Sequence, residues 1–265
     1  MTGNPYVSMD IRNSEDMELS LEALFSIIRA QKKNVILAID EFQEIDKYPD
    51  SRLAATLRKH LQSANNLSII FSGSKRNMIT NLFTNPKRSL YRTTQLFELG
   101  KIQKSTYLSF IQYHFKQGLR KIDEQSVSEI LEWTSLHTYY TQYFCHRLFE
   151  SGVKKIGREA IDQIKYKILK ENEMVFYNYQ RLLSPQQWKL LKAVGVEGLV
   201  HAPTSAAFIQ KFQLGAHSTV RLSLEKLLDL DMIYEIIDVH TGKSSYAVYD
   251  VFLGRWIRQK YKAGF

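Results

Sequence analysis

Val35-Ile36-Leu37-Ala38-Ile39-Asp40-Glu41 is a short apolar run closed by two carboxylates, and its reading decides the fold of the first third of the chain. The run is rich in β-branched residues and opened by Lys32-Lys33-Asn34, which predicts a strand buried on both faces of a parallel sheet. The acids then stand at the carboxyl end of the strand, where open α/β sheets place their ligands. Asp40 is placed there to hold a Mg²⁺, directly or through water, and Glu41 to orient and deprotonate an attacking water. A plainer reading stands beside it, in which Asp-Glu caps the following turn.

Working outward, Ser51 to Ser63 has a helical pattern, Asn65-Asn66 signals a turn, and Leu67-Ser68-Ile69-Ile70-Phe71 is a second strand followed by Ser72-Gly73-Ser74. Strand, helix, strand is the βαβ pattern, so the first run reads as a Walker B strand. The second then ends in a small polar residue whose hydroxyl touches a phosphate or the attacking water. Ser74 is the first choice for that position and Ser72 the second; the alternative is that Ser-Gly-Ser is only a turn.

The chain has 265 residues, 44% of them hydrophobic, enough for two or three small domains. With 12 Gly and 5 Pro it has neither a low-complexity tract nor a flexible linker, and no solenoid repeat is visible. The single cysteine, Cys145, excludes an internal disulfide and a thiolate zinc cluster, and reads as a buried thiol in a reducing compartment. Met1 to Pro5 lacks a basic segment followed by an apolar one, and no run approaches eighteen apolar residues, so the expectation is a soluble, cytoplasmic protein with no membrane partner.

Lys and Arg number 36 against 27 Asp and Glu, a net charge of +9. Residues 75 to 121 carry the surplus: Lys75, Arg76, Lys87, Arg88, Arg92, Lys101, Lys104, Lys116, Arg120 and Lys121 face one acid, Glu98. Such a block attracts nucleotide phosphates, nucleic acid or an acidic protein, and its start beside Ser74 places part of it near the phosphate end of the sheet. Taken singly, most of these residues read as a solvated basic face.

From Ser105 the spacing is helical. Tyr107, Leu108, Ile111 and Phe115 mark one apolar face, and Val127, Ile130, Leu131 and Trp133 open a second helix running towards Leu148, together an α-helical lid. Tyr139, Tyr140, Tyr143 and Phe144 suit core packing better than a base-stacking platform. His137 and His146 are nine apart, which does not place two ligands on one helix face, so no metal site is expected there.

Ser184-Pro185-Gln186-Gln187 supplies an N-cap, a proline at N1 and a capping-box glutamine for a helix through Val194. A short helix after Pro203-Thr204-Ser205, a third opened by Ser218-Thr219, and strands Met232 to Val239 and Tyr246 to Asp250 around His240-Thr241-Gly242-Lys243 complete a winged helix. Between Ser218 and Asp231, Arg221 and Lys226 face Glu225, Asp229 and Asp231. Phosphate neutralisation dominates nucleic-acid affinity, so this helix favours a protein-packing or regulatory role. DNA binding, with Arg221 and Lys243 as its best contacts, remains the alternative.

Ile39-Asp40-Glu41-Phe42-Gln43, Phe71-Ser72-Gly73-Ser74 with Met78, the helical segment, and a winged helix ending in Tyr246-Ala247-Val248-Tyr249-Asp250 before Trp256 resemble the archaeal-type ATPases of the STAND branch of the AAA+ superfamily, which also occur in bacteria. The resemblance implies ATP and Mg²⁺ as cofactors, Asp40 as the metal-holding acid, Glu41 as the catalytic glutamate, Ser74 as the polar sensor, and Arg92 as the match to an arginine of some relatives. It implies a nucleotide partner and a protein partner of unknown identity.

The chain departs from that family in one respect. Members carry a Gly-rich loop ending in Gly-Lys-Ser/Thr before the Walker B strand. Here the one Gly-Lys-Ser, Gly242-Lys243-Ser244, has Ile237 where the first glycine belongs and falls in the wing hairpin. The expectation is therefore an α/β portion followed by an all-α portion: an incomplete P-loop NTPase core (1–100), a helical lid (101–182) and a winged helix (183–265). Such a chain binds and hydrolyses ATP poorly on its own. It is either a fragment of a longer protein or a member that has lost catalysis and survives as an interaction module; the fragment is the preferred reading.

Overall fold

The computed structural model describes residues 14–48, 52–97, 99–238 and 241–262, so residues 1–5, Ser51, Glu98, Val239 and His240, which enter the sequence reading, lie outside the described residues. The chain divides into two compact units, one ending at Leu99 and one beginning at Gly100.

In the first unit α1 (Ser14–Arg29) precedes β1 (Val35–Ile39), a 3-10 turn (Phe42–Lys47), α2 (Arg52–Ser63), β2 (Leu67–Phe71) and α3 (Arg76–Thr84). The two strands pair in parallel, Val35 opposite Leu67 through Ile39 opposite Phe71. Asn66 fixes the entry to this pair: its carbonyl accepts from Val35 N–H at 2.8 Å, and its amide donates to the carbonyls of Ile28 and Gln31 at 2.9 and 3.0 Å.

The expectation of a strand buried on both faces is corrected. Leu37, Ile39, Ile69 and Phe71 pack on a core built from Phe25 and Ile28 of α1, Leu57 of α2, Leu82 and Phe83 of α3, Phe42 and Leu90. The alternate residues face outward, with Ile36 71% and Ile70 56% exposed. All three helices supply side chains to one face of the pair, and no described element of this unit covers the other. The parallel sheet is correspondingly small, two strands among the described residues.

Under the helices His60 is buried and stacks on Phe25, ring centroids 4.4 Å apart and 7° from parallel. Its Nδ1 lies 3.2 Å from Arg29 Nη1, which can only donate, so Nε2 carries the proton. Desolvation lowers the His60 pKa, the nearby Glu22 raising it only in part. The folded state thus takes up this proton less readily than the unfolded chain, and stability falls as pH drops through the ordinary histidine range. Urea unfolding followed between pH 7.5 and 5 is expected to show that loss, and His60→Phe, which keeps the stack, to flatten it.

The second unit strings α4 (Lys104–Gln117), β3 (Lys121–Ile122), α5 (Glu124–Trp133), α6 (Thr138–Glu150), β4 (Lys155–Ile156), α7 (Arg158–Glu171), α8 (Glu173–Leu182), α9 (Pro185–Glu197), α10 (Ala206–Lys211), α11 (His217–Asp229), β5 (Ile233–Ile237), β6 (Ser244–Val248) and α12 (Val251–Tyr261). The single helix expected from Val127 to Leu148 is two. Ser135 and Leu136 both take left-handed backbone, φ 56°, and the Thr134 hydroxyl turns back to the Ile130 carbonyl at 2.8 Å. α9 starts as its sequence requires, with Gln187 N–H donating to Ser184 Oγ at 3.3 Å and Ser184 N–H to Gln187 Oε1 at 2.9 Å. α11 starts at His217 after Ala216, which supplies no side-chain cap.

β5 and β6 form the antiparallel wing, with Val200 bridging to Tyr246. Asp250, expected at the end of the second wing strand, instead caps α12, accepting from Phe252 and Leu253 N–H at 2.8 and 3.1 Å. One continuous apolar core runs from Tyr107 of α4 to Ile257 of α12. Within it Tyr140 and Phe144 are buried, Phe144 against Trp133 (5.2 Å) and Tyr140 against Phe252 (4.6 Å), whereas Tyr139 is exposed. Burial pushes the pKa of the half-buried Cys145 thiol up to about 12, away from the thiolate form that reacts. No helix among the described residues is long and apolar enough to cross a membrane.

Candidate nucleotide site

The loops leaving β1 and β2 are laced together. Ser72 N–H donates to the Ile39 carbonyl and Phe42 N–H to the Ser72 carbonyl, both at 2.9 Å, which carries the parallel ladder one step past the strands. Asp40 and Ser72 therefore stand side by side, and Ser72 Oγ donates to Asp40 Oδ1 at 2.6 Å. The same oxygen accepts Glu41 N–H at 2.9 Å. The Ser72 hydroxyl first, and then the Glu41 amide, hold the Asp40 carboxyl below its ordinary pKa. Asp40 is exposed and anionic at neutral pH.

Glu41 takes left-handed backbone, φ 50° and ψ 39°, an uncommon conformation for a side chain of its kind. The bend sends Phe42 and Gln43 inward, where both are buried, and leaves the Glu41 carboxylate beside the second loop. Glu41 Oε2 accepts from Ser74 Oγ at 3.1 Å and from the Gln43 amide. The acids and both serines expected to act together are thus joined pairwise, Asp40 with Ser72 and Glu41 with Ser74. The plainer reading of the acids accounts for part of this, since Asp40 does accept the next backbone N–H.

Arg92 is not part of that cluster. Its backbone is left-handed, φ 54°, its N–H donates to the Phe83 carbonyl at 2.9 Å, and its guanidinium lies over the Tyr91 ring at 5.1 Å. No hydrogen bond or ion pair joins it to Asp40, Glu41, Ser72 or Ser74 among the described residues. The basic block it belongs to is divided between the units and partly committed. Arg88 grips Asp46 with two bonds of 2.8 and 3.0 Å, Lys104 pairs with Glu132 at 2.8 Å, and Arg120 donates to the Val153 carbonyl at 2.9 Å.

Two members of the site were not singled out from sequence. Gln43 supports Glu41 from below while its own Oε1 is buried without a partner. Gly73 makes room for it, since a Cβ there would lie 2.0 Å from Gln43 Oε1. The sequence signal was slight, a polar residue and a glycine among residues otherwise read as turn.

The donor set suits Mg²⁺ in a limited way. That ion keeps several waters and commonly takes one or two carboxylates plus substrate phosphates. Asp40 supplies one ionised carboxylate whose Oδ2 makes no protein hydrogen bond among the described residues. They contain no cluster of three or more His, Cys, Asp or Glu able to bind a metal without such help. Gly242-Lys243-Ser244 does not supply a phosphate loop. Gly242 has φ 66° in the hairpin turn, and its N–H donates to the Asp238 carbonyl at 2.7 Å.

A parallel strand pair with acids and hydroxyls at its carboxyl end, followed by helices and a wing, defines a P-loop ATPase-like fold carrying a winged helix. Comparison with known proteins agrees at that level. A family described as a probable winged helix domain matches residues 174–259. The solved structure of the Walker-type ATPase PABY2304 of Pyrococcus abyssi is similar, with a TM-score of 0.59 and 17% identity over 93% of this chain and 68% of that chain. No curated protein matches the chain.

Proposed function

We propose that residues 14–97 are the Walker B and sensor portion of a STAND-type ATPase core, and that the helical unit is its regulatory lid and winged helix. The observation that carries this reading is the paired arrangement Asp40–Ser72 and Glu41–Ser74 across two parallel strand ends. In it Asp40 holds the Mg²⁺ of Mg-ATP, Ser74 sits where it senses the terminal phosphate, and Glu41 is the base for the attacking water. Its hydrogen bonds from Ser74 and Gln43 aim the carboxylate. Bound Mg²⁺ supplies charge neutralisation of the phosphates.

Phosphoryl transfer depends on positioned cations and amides around the phosphates, and the described residues offer no Gly-rich loop to provide them. The chain by itself is therefore proposed to bind Mg-ATP weakly, above the micromolar range, with negligible turnover. Calorimetry tests this directly: Mg-ATP is expected to give a weak isotherm whose Mg²⁺-dependent part disappears in Asp40→Asn. A micromolar isotherm would overturn the weak binding, and identical isotherms for the two proteins would sink the assignment of Asp40.

DNA binding through the winged helix is the second reading, and the α11 surface argues against it. Arg221, the best candidate contact, pairs with Glu225 at 3.0 Å. Leu222 beside it is 65% exposed, which suits protein packing better than a phosphate backbone.

A further inference from the structure

A cleft of about 480 Å³ opens between α7 and α12, lined entirely by residues of the second unit. Its lining includes Arg255 and Arg258 of α12 and Lys262, the residue that caps its end, spaced i, i+3 and i+7. Lys165 and Asp162 of α7 face them, with Tyr166 beside. Lys165 is already engaged by Glu129 and by Asp162 at 3.2 Å, and Arg158 lies 3.7 Å from Asp162, so the α7 side is close to neutral.

The α12 side is not. Arg255 donates to the Trp133 and Glu132 carbonyls at 2.8 and 2.6 Å, which orients the guanidinium at the end of α5 without pairing it with a carboxylate. Arg258 has no hydrogen bond or ion pair from its side chain among the described residues, its Nε is buried without an acceptor, and the Nη2 edge of its guanidinium lies against Gly198 at the end of α9. A buried donor left unmade is costly, and two neighbouring guanidinium groups add repulsion. Burial, with the Arg258 charge behind it, lowers the Arg255 pKa, consistent with a site short of negative charge.

We propose that this cleft is an anion site for a small ligand bearing a phosphoryl group, held by Arg255, Arg258 and Lys262. Guanidinium forks match phosphate oxygens in pairs, and the lysine adds a mobile point charge at the rim. The volume is that of a small-molecule pocket. The exposed Tyr166 ring gives the non-phosphate part of such a ligand a face to lie against.

Calorimetry of the whole chain with pyrophosphate, in Mg²⁺-free low-salt buffer, tests the site. Measurable binding is expected, weakened at least tenfold by Arg258→Gln and by Lys262→Gln. Lys262 is exposed, so its variant keeps the wild-type melting temperature and removes misfolding as an explanation. No heat at millimolar pyrophosphate, or equal affinity in wild type and Lys262→Gln, overturns the proposal. So does a short DNA duplex that binds tenfold more tightly than pyrophosphate and is lost in the same variants, which would assign the cleft to a nucleic-acid backbone.

Discussion

Phe144→Ala is expected to lower the stability of the helical unit by about 3–5 kcal/mol, the usual cost of emptying a fully buried aromatic site. Phe144 has no exposed surface and packs on Trp133, which in turn touches Phe252 of α12. The cavity would lie where α5 and α6 meet the distant α12, so collapse around it is limited. Tyr139→Ala, one turn away but 62% exposed, is expected to change stability by less than about 0.5 kcal/mol. Urea midpoints for the two variants measure the contrast directly. If both lost several kcal/mol, or neither did, the assignment of this aromatic row to the core would be wrong.

Gly73→Ala is the second large effect. A methyl group at this position meets Gln43 Oε1 at 2.0 Å and Ile79 Cδ1 at 2.6 Å, one a buried amide and the other the side chain that α3 turns toward the loop. Overpacking of this kind costs about 1–3 kcal/mol. The displaced Gln43 would also release its grip on Glu41, so the loss should appear in the first unit's unfolding and in the position of the acid. Gly73→Ala with Gln43→Ala removes the main clash and is expected to recover part of the stability. Equal destabilisation in the single and double variants would show that Gln43 is not the obstacle.

Much of this architecture was legible in the sequence, for identifiable reasons. The apolar spacing of Tyr107, Ile111 and Phe115 gave α4, and the Ser184–Gln187 box gave the start of α9, because both signals are local. Asp40, Glu41, Ser72 and Ser74 could be grouped because two strands of equal length ending in polar residues place those ends together when paired in parallel. What covers a strand is not local. Val35 to Ile39 has no polar alternation, so it reads as buried on both faces, yet Ile36 faces outward. The break at Ser135 and Leu136 depends on left-handed backbone at two residues that carry no glycine signal, and α6 begins beyond it. Asp250 reads as the last residue of a strand when only its neighbours are seen; its role as a cap follows from where α12 begins. The α7–α12 cleft needs residues nearly a hundred positions apart to meet, which no periodicity reports.

The Arg255 clasp has a mechanical meaning. Its guanidinium on α12 holds the last carbonyls of α5 across more than a hundred residues of sequence, and the apolar interior is unbroken beneath it. The clasp thus ties the start of α12 to the end of α5, and the helices between them share the same interior as the wing.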